Sequence, residues 1–193
     1  MSKKRVTDRA LLRFTDEVKA RFAFLEARGF NCVSTDVTLV RFESPELGVN
    51  IFHGRQSYEI GLELESLVSK TEKYSFSELL RLVDQERAEC YRSFAATNAE
   101  GVAEGVRQLA DSVQQCIAAG LLDDTELFSR LKRQRHDLTK KLSLDVQLQH
   151  ARRKTEAAWH TKDYATIVRI MKPLRTYLSA SEVAKLEFAE KHI

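Results

Sequence analysis

The chain is short of the residues that break regular structure. It has 193 residues but only 7 glycines and 2 prolines. So few turn formers exclude a β-rich sandwich and leave little room for long loops. Cysteine is scarce too. Cys32, Cys90 and Cys116 are odd in number and far apart, with no CxxC pair. Neither a disulfide framework nor a zinc site follows, and three packed thiols in a reducing cytoplasm are expected. No run approaches the roughly 18 apolar residues that span a bilayer, so no membrane partner is expected. Met1-Ser2-Lys3-Lys4-Arg5 is basic but opens an amphipathic segment, not the apolar core of a signal peptide. Neither sign of charge dominates: 31 Lys and Arg face 28 Asp and Glu, a formal net charge of +3. That balance by itself implies neither nucleic acid nor an anionic membrane.

Signatures of chemistry are missing as well. There is no nucleophile elbow, P-loop or G-x-G-x-x-G. Gly101 and Gly105 fall inside a helical stripe with no strand before them. The histidines are His53, His136, His150, His160 and His192, and none belongs to an H-E-x-x-H motif. His53 follows the apolar row of a strand and reads as a hydrogen-bonded structural histidine. Glu59, Glu63 and Glu65 share one strand face. A catalytic pair needs one desolvated carboxyl, and an exposed face does the opposite. No enzyme activity, cofactor or metal is expected.

What is present is a clear hairpin over 48–66. Tyr58, Ile60, Leu62 and Leu64 alternate with Glu59, Gly61, Glu63 and Glu65. Successive strand side chains point to opposite faces, so this is an apolar row backed by an acidic row. Leu47, Val49 and Ile51 alternate likewise with Gly48, Asn50 and Phe52, and Gly54-Arg55-Gln56 joins the two runs. With a β-branched run over 37–42, bounded by the turn Ser44-Pro45-Glu46, the spacing predicts a three-strand antiparallel meander at about 31–43, 48–54 and 57–67. One apolar face on three strands needs a helical cover.

Helices supply it. Thr7 or Asp8 can cap a first helix carrying Leu11, Phe14, Val18, Phe22 and Leu25, ended by Gly29. Ser75 and Glu78 form a capping box before Leu79, Leu80, Leu82 and Val83. Thr97 and Glu100 repeat that spacing ahead of Val102, Val106, Leu109, Val113 and Ile117. Separate helices follow on Leu127, Phe128, Leu131 and Leu138, and on Leu144, Leu148, Ala151 and Ala158. The next carries Tyr164, Ile167 and Met171 and is bent by Pro173, and the last opens at Ser179 and Glu182. Ala157-Ala158-Trp159 before Lys162-Asp163-Tyr164 looks like the turn of one tetratricopeptide-type helix pair. The fold class is therefore α+β: a helix-covered meander over 1–96, then a block of antiparallel helix hairpins over 97–193, packed as one compact unit.

Two surfaces stand out. From 130 to 154, Arg130, Lys132, Arg133, Arg135, Lys140, Lys141, Arg152, Arg153 and Lys154 outnumber Asp137 and Asp145. Charge of that kind can meet phosphates. Single-strand binders also interleave aromatics, and this segment has none, so it reads as a solvated helix face. The acidic sheet face carries Asn50, Phe52, Glu59, Glu63 and Glu65, with Arg55 at its turn. An aromatic among carboxylates suits an interface anchor with a charged rim, so these six residues are the candidate partner-binding site.

Several phrases occur together: Phe24-Leu25-Glu26-Ala27-Arg28-Gly29-Phe30, Gly48-Val49-Asn50-Ile51, Ser57-Tyr58-Glu59-Ile60, Tyr74-Ser75-Phe76-Ser77-Glu78-Leu79-Leu80, and Ala158-Trp159 with Lys162-Asp163-Tyr164. Their order resembles an α+β family of bacterial immunity proteins encoded beside secreted polymorphic toxins. The resemblance covers most of the chain and implies a cytoplasmic protein that binds a cognate toxin domain and blocks it. It carries over no functional residue. One departure is charge: inhibitors of nucleases are often strongly acidic, and this chain is slightly basic. The alternative is a nucleic-acid-binding or regulatory adaptor using 130–154.

Overall fold

The computed structural model describes residues 9–69 and 72–193. Thr7 and Asp8, the expected caps of the first helix, lie outside the described residues. The chain is α+β and divides into two units, Met1–Arg133 and Gln134–Ile193. The sequence places a boundary at 96/97 instead. The helix that follows 97 belongs with the sheet because its apolar face is part of the sheet's core.

In the first unit, a 3-10 turn, Arg9–Leu12, precedes α1 (Phe14–Arg21) and α2 (Ala23–Glu26). The expected single helix is thus broken twice. Arg13 is left-handed at φ 55°, and Phe22 leaves helical geometry with ψ 12°. The break at Arg13 shifts the phase, so Leu12 is buried and Leu11, the expected core residue, is 71% exposed. Gly29 ends the segment at φ 85°, a conformation with no Cβ penalty for glycine.

The sheet has six strands: β1 (Asn31–Asp36), β2 (Leu39–Glu43), β3 (Leu47–His53), β4 (Glu59–Ser66), β5 (Lys73–Ser75) and β6 (Phe94–Ala95). The order is β1-β2-β3-β4-β5, with β6 also on β4, and every pairing is antiparallel. The expected strand over 31–43 is in fact a hairpin closed by Val37 and Thr38, with Asp36 opposite Leu39. Tyr58, expected in the apolar row, lies instead in the β3–β4 turn at φ 56°. Two helices follow β5: α3 (Phe76–Val83), with the Ser75–Glu78 capping box in place, and α4 (Gln85–Cys90). After β6 comes α5 (Ala99–Ala118), capped by Asn98 Oδ1 on Gly101 N at 2.7 Å, where Thr97 was expected.

The inner face of the sheet carries Val40, Phe42, Val49, Ile51, Ile60, Leu62 and Leu64. They share one core with Phe14, Val18, Phe22 and Leu25 and with Val102, Val106 and Leu109 of α5. Each large side chain buried there contributes about 2 kcal/mol from water exclusion.

A 34-residue helix, α6 (Leu127–His160), replaces the two helices expected between 124 and 159. No glycine or proline interrupts it. The second unit contains its residues from Gln134 on, then α7 (Tyr164–Met171), a 3-10 turn at Lys172–Tyr177 that holds Pro173, and α8 (Ala180–Glu190). Asp163 caps α7 through Thr166 N at 3.0 Å, and Ser179 with Glu182 forms the expected capping box of α8. Ala158, Ile167 and Ala189 form the centre of this unit. Trp159 meets Tyr164 edge-on at 6.1 Å. Among the described residues, no helix is long and apolar enough to cross a membrane.

Candidate functional site

Strand alternation puts Arg41 and Glu43 of β2, Asn50 and Phe52 of β3, and Glu59, Glu63 and Glu65 of β4 on the outer face. The register then sets Arg41 opposite Asn50 and Asn50 opposite Glu63. Arg41 is the centre of a charged lattice. Its Nε donates to Glu43 Oε1 at 2.6 Å. Its Nη1 donates to Asn50 Oδ1 at 2.8 Å and to Glu65 Oε2 at 2.5 Å. Asn50 Nδ2 reaches Glu63 Oε1 at 3.4 Å, and Lys73 of β5 donates to the same oxygen at 3.0 Å. Gly48 makes room for this: a Cβ there would sit 3.0 Å from Arg41 Nη2. The hydrogen bond and charge of Arg41 hold the Glu65 carboxyl below its usual range, with Lys73 adding to the effect. Burial pulls the Arg41 guanidinium down, but its bonds to Glu65 and Glu43 leave it raised.

Phe52 has a different role from the expected protruding anchor. It is half-buried, and its ring lies across Gly61 on the neighbouring strand. A Cβ at Gly61 would meet Phe52 Cζ at 2.5 Å. An aromatic over a strand glycine restores the packing that the glycine lacks. Asn50 is buried rather than solvent-facing, at 6% exposure. Glu65 is largely covered and Glu63 half-buried, while Glu59 and Arg55 are exposed. The six candidate residues thus separate into Asn50, Glu63 and Glu65 inside the lattice, Phe52 over Gly61, Glu59 further along β4, and Arg55 in the turn. Sequence reasoning missed Arg41, Glu43 and Lys73. The Arg-x-Glu alternation over 41–43 was the available signal, but its meaning depends on register.

The turn end of the hairpin is a second polar centre. His53 is 1% exposed. Its Nε2 lies 2.9 Å from Ala96 O and its Nδ1 lies 3.2 Å from Arg9 Nη1. A carbonyl only accepts and a guanidinium only donates. The ring is therefore neutral, with the proton on Nε2. Arg9 also donates to Gly54 O and Arg55 O, at 3.0 and 2.5 Å, and stacks over Tyr58 at 4.5 Å. That clamp stabilises Tyr58 in its left-handed turn. His53 is structural, as expected from the sequence.

Burial pushes the His53 imidazole below its ordinary value of 6.5, with the Arg9 charge acting in the same direction. The unfolded chain then binds this proton more readily than the folded one. Stability should fall as the pH drops below 6.5 towards 5. Thermal unfolding between pH 7.5 and 5.5 checks this, and the slope should flatten in His53→Gln. An unchanged slope in that variant would assign the dependence to other groups.

Among the described residues, no group of three or more His, Cys, Asp or Glu could hold a metal ion. All three cysteines are free. Cys116 is buried, which raises its thiol and leaves it unreactive. No family model, curated protein or solved structure matches the chain.

Proposed function

We propose that this is a cytoplasmic binding protein, an immunity protein that neutralises a cognate bacterial toxin domain by occluding it. The observation that carries the reading is the outer sheet face, where Arg41, Glu43, Asn50, Glu63, Glu65 and Lys73 hold one another in fixed positions. A partner meeting such a face orders few side chains on binding, which lowers the entropic cost of association. Glu59 and Arg55 extend the charged rim beyond the lattice, and Phe52 adds a half-buried apolar patch. Charge-complementary faces of this kind set specificity and association rate. The Trp159–Tyr164 contact and the small Ala158 beside Ile167 support reading 157–164 as a single tetratricopeptide-like turn.

The test is co-expression with the toxin domain encoded next to this chain. The pair should co-elute as a stoichiometric complex, and growth should be rescued. Reversing one rim and one lattice carboxylate with Glu59→Lys and Glu63→Lys should weaken the complex at least about tenfold, mostly through one or two desolvated charge pairs. Failure to co-elute would overturn the function. Full affinity in the double variant would remove the sheet face as the site.

A further inference from the structure

The uninterrupted α6 brings together residues that two separate helices would have kept apart. His136, Lys140, Ser143, Gln147, His150 and Lys154 recur at spacings of four and three. They form one line along a helix. All six are exposed. The line covers 19 residues, about 27 Å at the helical rise. No carboxylate stands on it. Two other cations of the same helix are paired: Arg130 with Asp124 at 2.5 Å and Arg152 with Glu182 at 2.6 Å. The six side chains of the line have no hydrogen-bond or ion-pair partner among the described residues. Lys141 and Arg153 lie on other sides of the helix and are also exposed.

Charge is segregated to match. The unit Gln134–Ile193 holds twelve Lys and Arg against seven Asp and Glu, a net +5. The rest of the chain is then at −2 within the total of +3. The near-neutral whole conceals a basic unit.

We propose that this line on α6 is a binding surface for a nucleic-acid phosphate backbone. The residue types decide between polyanions. Lys, His, Ser and Gln are phosphate-contacting side chains, and such contacts position a protein on nucleic acid without reading sequence. A protein interface of comparable length needs aromatic or apolar anchors at its centre, and this line has none. A duplex carries one charge per roughly 1.7 Å of axis, so several phosphates fall within the length of the line. This surface shares no residue with the sheet face, and its test does not depend on any toxin.

The full-length protein is titrated into a fluorescein-labelled 30-base-pair DNA duplex at 50 and 200 mM salt, with anisotropy as the readout. Micromolar binding that weakens steeply with salt is expected. Lys140→Gln with Lys154→Gln should lower affinity about tenfold or more and reduce the salt slope by about 2. Lys162→Gln with Lys191→Gln removes the same formal charge away from the line and should change affinity less than threefold. Equal loss in the two double variants would reduce the effect to net charge and overturn the site. No binding at 50 mM salt would overturn it too. Competition by polyglutamate as effective as that by unlabelled duplex would assign the surface to an acidic protein instead.

Discussion

Gly105→Leu is expected to destabilise the first unit by about 3 kcal/mol or more, the cost of forcing bulk into a packed core. Gly105 lies in the interior of α5, where glycine ordinarily costs a helix about 1 kcal/mol relative to alanine. Its retention has a packing reason. A Cβ there would sit 2.6 Å from both Ile60 Cδ1 and Phe94 Cδ1, and 3.1 Å from Phe94 Cγ. Ile60 can rotate its terminal methyl. Phe94 cannot yield as easily, because the ring atoms that a Cβ would meet lie next to its own Cβ and not at the far end of a flexible chain. Gly105→Ala should therefore lose about 1 kcal/mol, the clash outweighing the gain in helix propensity. Gln108→Leu, exposed on the same helix, should stay within about 0.5 kcal/mol of the parent. Denaturant unfolding midpoints measure all three. A Gly105→Leu variant within 1 kcal/mol of the parent would show that α5 can lift from β4 and β6 at little cost.

The elements that were legible in the sequence are those in which one residue pattern serves one face. β3 and β4 alternate strictly, and their apolar row is the inner face of the sheet. α3 and α8 open on capping boxes that need no tertiary context. The failures have equally local causes. Val37 and Thr38 are β-branched, the opposite of the glycine and asparagine that mark two-residue hairpin turns, so β1 and β2 read as one strand. Arg13 adopts a left-handed conformation with no glycine to signal it, which exchanges Leu11 for Leu12 in the core. α6 buries Leu127 and Leu131 near its start and Leu148, Ala151 and Ala158 near its end. Those two sets fall on different sides of the helix, so no single stripe runs its length and the pattern reads as two helices.

The site was legible in outline only. Its carboxylates could be placed on one face by alternation, but the cations that fix them come from β2 and β5, whose register the sequence does not display. The same ignorance of register made Phe52 look like a free anchor. Opposite Gly61 it is a cover for backbone that would otherwise be bare. The basic run on α6 was visible from composition. Its alignment into one unpaired line depends on the helix being continuous.

Arg41→Met tests whether the charged lattice is the rigid element that the outer face requires. The substitution keeps the aliphatic stem and removes the guanidinium. Glu65, with its side chain 14% exposed, keeps only the more distant Lys73 at 3.9 Å, and the buried Asn50 Oδ1 loses its donor. Leaving such groups uncompensated should cost about 2 kcal/mol at neutral pH. The loss should be non-additive. Glu65→Met alone strands Arg41 in part, while the double variant Arg41→Met with Glu65→Met removes both charges together. A coupling energy of about 1 kcal/mol or more is expected from the cycle. The pH dependence gives an independent check. The folded Glu65 carboxyl titrates below its ordinary 4.5, so its contribution is fully present above that value and is lost as the pH falls through the folded one. The difference between parent and Arg41→Met should accordingly be constant from pH 7 to 5 and narrow towards pH 3. A difference that persists unchanged at pH 3 would mean that Arg41 acts through packing over Gly48 rather than through Glu65. If the cycle shows coupling and the variant also binds the partner more weakly, while Glu59 and Glu63 are left intact, the order of the lattice, and not its exposed charges alone, is what the partner recognises.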